Sequence, residues 1–184
     1  MPRNHFEVLG FPSVFHLRSD ELEKKYLELS RQLHPDKFAK AAPRERLQAV
    51  QKTTELNDAY KVLRDPVKRA EYLLKLNGID IADEKLESVK ASPMLLAEMM
   101  ELNEQLADAK TSGDHAVVRQ LAEAMRERRA EAMRAVEEGF RAVDGGDRAV
   151  LPDIAQALIA MRYHARFLEQ VEAIESGEPL HGEP

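Results

Sequence analysis

His34, Pro35 and Asp36 are the residues whose types and spacing first suggest chemistry in this 184-residue chain. A histidine and a carboxylate two positions apart can form a general acid–base couple. Catalysis also needs a nucleophile or metal and a cleft that excludes water. The sequence contains no cysteine, which excludes disulfides, thiolate nucleophiles and thiolate metal centres. The remaining histidines, His5, His16, His115, His164 and His181, show no metal-ligand spacing, and each reads as a surface or half-buried side chain. A hydrolase using His34 and Asp36 is therefore the weaker reading; neither an enzyme nor a cofactor nor a metal site is expected.

The elements that must position this tripeptide are helices. Between dispersed prolines and glycines, apolar residues recur at helical spacing, which predicts an all-α chain. Ser19 is expected to cap a helix with the stripe Leu22, Tyr26, Leu29 and Leu33, stopped by His34-Pro35. A second helix should begin near Pro43 or Arg44 and carry Ala49, Thr53, Leu56, Ala59, Tyr60 and Leu63 inward, ending at Asp65-Pro66. A third should follow with Ala70, Leu73 and Leu76 inward and stop at Asn77-Gly78. The tripeptide then lies at the exposed tip between two antiparallel helices.

Residues 79–92 read as a connector with helical character, and beyond it short polar turns separate three periodic segments at about 93–110, 114–143 and 150–175. Long helices joined by short turns imply a three-helix bundle. Its middle helix should bury Val118, Leu121, Met125, Ala132, Val136 and Phe140. The organisation expected is thus residues 1–76, a connector over 77–92, a bundle over 93–175 and a flexible tail over 176–184. Up to Leu76 there are fifteen basic and eleven acidic residues, and after it twelve and twenty-two, within a total formal charge of -6. Halves of opposite charge suggest two different partners. No long run is uniformly basic, so no nucleic acid partner is expected. No apolar stretch is long enough for a membrane span or a secretory h-region, so no membrane partner and a cytoplasmic location are expected.

The setting of the tripeptide narrows the reading. His5-Phe6-Glu7-Val8-Leu9-Gly10 lies upstream, Leu56-Asn57-Asp58-Ala59-Tyr60-Lys61-Val62-Leu63-Arg64-Asp65-Pro66 downstream, and Lys68-Arg69-Ala70-Glu71-Tyr72 follows. Over about residues 4–76 this pattern resembles a J domain, the module by which co-chaperones activate a heat-shock chaperone ATPase of the HscA/DnaK class. The resemblance implies that His34, Pro35 and Asp36 contact the ATPase and stimulate hydrolysis. Proline presents its neighbours at low entropic cost. Lys24 and Arg31 fall opposite the apolar stripe at about 100° per residue. With Lys25, Lys37 and Lys40 they form a basic patch suited to an acidic docking surface.

The Phe15-His16-Leu17 opening, His34-Pro35-Asp36-Lys37-Phe38, the Arg69-Ala70-Glu71-Tyr72-Leu73-Leu74 ending and the helical second half together resemble the HscB-type co-chaperones of iron–sulfur cluster assembly, of a bacterial type. The helix at 93–110 carries its own signal. Leu96 and Met100 fall outside the stripe Leu95, Met99, Leu102 and Leu106 by roughly a quarter to a third of a turn, beside Glu101, Glu104 and Asp108. The resemblance implies that this strip binds the IscU-like cluster scaffold protein, through Leu96, Ala97, Met100, Glu101, Glu104, Asp108 and Tyr163. The expected function is a co-chaperone that delivers this scaffold to the chaperone and stimulates its ATPase, promoting maturation of iron–sulfur proteins. A general J-domain co-chaperone for unfolded clients is the alternative, disfavoured by the missing client-binding modules.

Overall fold

The computed structural model describes residues 3–38, 41–82 and 90–176. Among them the chain is all-α: α1 (His5–Leu9), α2 (Ser19–Gln32), a 3-10 turn (Pro35–Phe38), α3 (Pro43–Leu63), α4 (Pro66–Leu76), α5 (Pro93–Ser112), α6 (His115–Asp144) and α7 (Leu151–Ser176). It divides into two compact units, Met1–Gly78 and Ile79–Pro184. No helix of the described residues is long and apolar enough to cross a membrane.

In the first unit α1 opens with a reciprocal cap. The Asn4 side chain accepts from the Glu7 N–H, and the Glu7 carboxylate accepts from the Asn4 N–H, both at 2.9 Å. Phe6, Leu9, Phe15, Leu22, Leu56, Leu63 and Leu74 form the core. Ser19 is not the cap of α2. Arg18 holds that position in extended conformation (φ -74°, ψ 121°), and Ser19 is already helical. No side chain caps the helix; instead the Arg18 guanidinium pairs with first-turn Asp20 at 2.6 Å and Glu21 at 3.4 Å.

Proline opens both α3 and α4, where its missing N–H costs nothing. Asp65 caps α4 by accepting from the Val67 and Lys68 N–H groups at 2.9 and 3.2 Å. Leu76, expected inward, is 43% exposed, and Leu74 is buried in its stead. The reason is angular: position 74 follows Ala70 by one turn, whereas position 76 has rotated well past that face. Buried Arg69 lies 5.0 Å from the Phe15 ring centroid and donates to the Leu63 carbonyl at 2.8 Å, satisfying an orphan acceptor at the end of α3. Burial lowers its pKa from the ordinary value.

In the second unit the Ser92 hydroxyl caps α5 by accepting from the Leu95 N–H at 3.2 Å. Gly113 closes that helix at φ 68°, and Asp114 caps α6 by accepting from the Ala116 and Val117 N–H groups, each at 3.1 Å. The core joins Leu95, Met99, Leu102 and Leu106 of α5 to Val118, Leu121, Met125, Val136 and Phe140 of α6 and Ile154, Leu158, Phe167 and Val171 of α7. Ala132, placed in the α6 stripe from sequence, is only half-buried. Helices α6 and α7 approach so closely at Gly139 that a Cβ there would stand 2.5 Å from Ile154 Cγ1. The described ends of the segment before α5 are tied to α7: Arg162 donates to the Ile81 carbonyl at 3.1 Å, and Gln156 to the Lys90 carbonyl at 2.9 Å. Of the connector expected over 79–92 with helical character, the described ends, 79–82 and 90–92, form no helix, and residues 83–89 lie outside the described residues, as do residues 177–184 of the expected tail.

Candidate partner-binding surfaces

Two surfaces, one on each unit, collect the residues singled out from sequence. In the first unit α2 ends at Leu33 (φ -95°, ψ 5°) because Pro35 pushes its predecessor out of the helical region. Contacts across the hairpin then hold the tip. The Thr53 hydroxyl of α3 lies 2.9 Å from the Ala49 carbonyl and 3.3 Å from that of Leu33. Tyr26 and Tyr60 stack at 4.0 Å with planes 9° apart, and the Tyr26 hydroxyl donates to Asn57 Oδ1 at 3.0 Å.

On this support the Asp36 N–H donates to His34 Nδ1 at 3.3 Å, and the Lys37 N–H donates to the His34 carbonyl at 3.0 Å. The same Nδ1 lies 3.4 Å from Asp36 Oδ2, so this nitrogen is engaged within the tip and Nε2 is the one left to a partner. The side chains of His34 and Asp36 are 58% and 89% exposed, so neither is desolvated as acid–base catalysis requires. What the tip can do is present an imidazole, a carboxylate and a fixed turn to another surface.

Lys24, Arg31 and Lys37 are exposed and form no ion pair among the described residues. Lys25 differs: it is half-buried on the flank of α2 and bonded to Glu28 at 3.0 Å. Lys40 lies outside the described residues. Unpaired cations on one helix face keep their full field for an incoming partner, whereas a paired one has spent most of it locally.

On α5 the inward stripe Leu95, Met99, Leu102, Leu106 and Ala109 is buried, while Leu96 is 41% and Met100 74% exposed. Ala97, Glu101, Glu104 and Asp108 are exposed around them. The strip is therefore apolar, open to solvent and edged with acid. Glu98, one turn from that edge, is committed to Arg128 of α6 at 2.9 Å. Tyr163 of α7 is half-buried and makes no hydrogen bond or ring contact among the described residues. It precedes His164, which is 5% exposed, has an Nδ1 without a hydrogen-bond partner, and is held below its ordinary pKa by burial.

Some features escaped the sequence reading. Leu47 and Val50 of α3 are 59% and 56% exposed. Their position a third to a half of a turn from the Ala49, Leu56 and Leu63 stripe is the signal that could have found them. Met94, at the start of α5, is also largely exposed.

Comparison with known proteins covers both units. Residues 4–72 match the DnaJ domain model, and residues 91–172 match the HSCB C-terminal oligomerisation domain model. A co-chaperone protein HscB homolog of Vibrio atlanticus is 50% identical over 111 residues, which are 60% of this chain and 64% of that protein's length. Among solved structures, chaperone HscB from Vibrio cholerae superposes with a TM-score of 0.72 at 30% identity, covering 95% of this chain and 99% of that one. The human co-chaperone protein HscB gives a TM-score of 0.72 at 27% identity, over 94% of this chain and 82% of that one.

Proposed function

The chain belongs to the HscB family of J-domain co-chaperones, and on that premise we propose that it couples an iron–sulfur cluster scaffold protein to the ATPase cycle of a heat-shock chaperone of the HscA/DnaK class. Its role is that of an adaptor and not of an enzyme. His34, Pro35 and Asp36 dock on the ATPase and stimulate hydrolysis. Lys24, Arg31 and Lys37, with Lys25 at their flank, steer that encounter by charge. The acid-edged strip of Leu96, Ala97, Met100, Glu101, Glu104 and Asp108, with Tyr163 on α7, holds the scaffold. Because one chain carries both surfaces, binding of the scaffold raises its effective concentration at the chaperone. Hydrolysis then converts the chaperone to its tight-binding state, and the cluster, as cargo, passes to acceptor proteins.

One observation carries the reading: a solvent-open apolar strip edged with acid on a chain whose other unit presents exposed His34 and Asp36 beside cations that form no ion pair among the described residues. A pull-down from a bacterial extract tests it. Recovery of both scaffold and chaperone is the expected result; recovery of the chaperone with a broad set of unfolded clients and no scaffold would favour the general co-chaperone instead.

A further inference from the structure

Helices α5 and α6 leave between them a groove of about 430 Å³ that has no part in the function proposed above. Leu102 and Leu121, 8% and 9% exposed, form its floor, and half-buried Val117 and Ala124 of α6 extend that apolar surface. Glu98 and Arg128 also line it, but they pair at 2.9 Å and their charges offset one another. Glu101 keeps its charge: it forms no ion pair among the described residues, and its carboxylate accepts from the Gln105 amide at 3.4 Å. Gln120 stands exposed on the α6 wall. The groove therefore sets one uncompensated carboxylate and two amides over hydrocarbon. A long basic side chain suits this construction, because its apolar stem covers hydrocarbon while its charged head stays near water and donates to carboxylate and amide oxygens. An anionic guest would meet Glu101, and a purely apolar one would strip water from these polar groups without replacing their hydrogen bonds. The excess of acid after Leu76, twenty-two residues against twelve basic ones, favours the same guest.

The position of the groove on α5 indicates whose side chain it takes. At about 100° per residue, Leu96 and Met100 stand roughly 140–180° around the helix from Glu98 and Gln105, so the apolar strip and the groove occupy opposite flanks. Exposed Glu101 and Glu104 form the ridge between them, and Glu101 borders both. A helix with its side chains is only about 10–12 Å across, so a single interface can reach down both flanks. We infer that the groove receives a long basic side chain of the same scaffold protein whose apolar surface covers Leu96 and Met100, so that the scaffold saddles α5. The inference rests on the scaffold-binding reading of the strip. On this arrangement the strip contributes affinity by leaving water, and the groove sets register and selectivity. A competitor without the basic side chain covers the strip but leaves Glu101 without its counter-charge.

Calorimetry of the intact chain with the purified IscU-like scaffold protein tests it. Gln120→Lys, at an exposed position, should weaken binding by about tenfold by setting a like charge against the guest, and Gln120→Glu should tighten it. Glu127→Gln makes the same change of charge as Gln120→Lys at an exposed α6 position outside the groove, and it should shift the affinity by less than about twofold. Among scaffold variants with a single Lys or Arg changed to Gln, one should bind the wild-type chain about tenfold more weakly, yet bind the Gln120→Lys chain as well as the unchanged scaffold does. Equal affinities for the two Gln120 variants, an equal loss in Glu127→Gln, or the absence of any such coupled scaffold residue would each overturn the inference. So would Gln120→Lys that keeps the scaffold but no longer stimulates the chaperone, for the groove would then belong to the chaperone. If Leu96→Ala/Met100→Ala loses the scaffold while both Gln120 variants bind as wild type, the scaffold reading stands and this inference falls. A wild-type chain that binds no scaffold would remove both.

Discussion

The Asp36 backbone N–H donates to Nδ1 of His34 at 3.3 Å, so one ring nitrogen is engaged inside the tip and the other is left to a partner. Replacement of His34 by Gln should abolish stimulation of the chaperone ATPase while leaving the melting curve nearly unchanged, within about 0.5 kcal/mol for an exposed site. Steady-state hydrolysis with wild type and variant decides it; equal stimulation by both would remove the tip from the mechanism.

Lys24 and Arg31 carry no partner of their own among the described residues. Changing both to Glu should slow association with the chaperone, and the wild-type rate should fall as salt rises. Stopped-flow binding across a salt series is the check, and a rate indifferent to salt would reduce this face to solvated charge.

Leu96 and Met100 are exposed beside a buried stripe, which separates binding from folding in one experiment. Leu96→Ala/Met100→Ala should cost little stability but lose the scaffold in calorimetry, because truncating central apolar anchors removes much of an interface's energy. Leu106→Ala, one of the buried positions, should instead cost about 2–5 kcal/mol. Urea melts of the two variants that came out alike would refute the division.

His164 predicts a pH dependence. Burial lowers its pKa below the ordinary 6.5, so folding favours the neutral ring, with Glu98 opposing that shift and Arg128 and Arg129 reinforcing it. The contribution is fully present above 6.5, and it is lost as pH falls through the lower folded-state value. His164→Leu, which also removes the unpartnered Nδ1, should flatten the loss of stability on acidification. The remaining slope belongs in part to His5, whose pKa is likewise lowered by burial. Urea midpoints across pH that are the same for variant and wild type would contradict this.

Much of this architecture is written in local pattern. Pro35, Pro43 and Pro66 mark helix boundaries because a missing N–H and a fixed φ act wherever the chain runs. The stripe of α5 and its exposed neighbours Leu96 and Met100 follow from angle alone. What sequence could not supply is how side chains choose among partners. Nothing in the spacing says that Lys25 pairs with Glu28 while Lys24 forms no ion pair among the described residues, nor that Arg69 turns inward to the Leu63 carbonyl. Sequence places the start of α2 one residue late for a similar reason: Ser19 is a favourable cap by type, but Arg18 already holds the first-turn acids.

The close approach of Gly139 to Ile154 binds two positions fifteen apart into a single heritable unit. Ile154 is buried and branched at Cβ, so it cannot swing aside for even one added methyl group. A lineage that acquires alanine at the place of Gly139 is then under pressure to shorten the side chain facing it, and until it does, the longer one is barred. Among relatives, the two columns should drift together, with bulk at one excluding bulk at the other, while the exposed residues between them on α6 and in the turn vary independently.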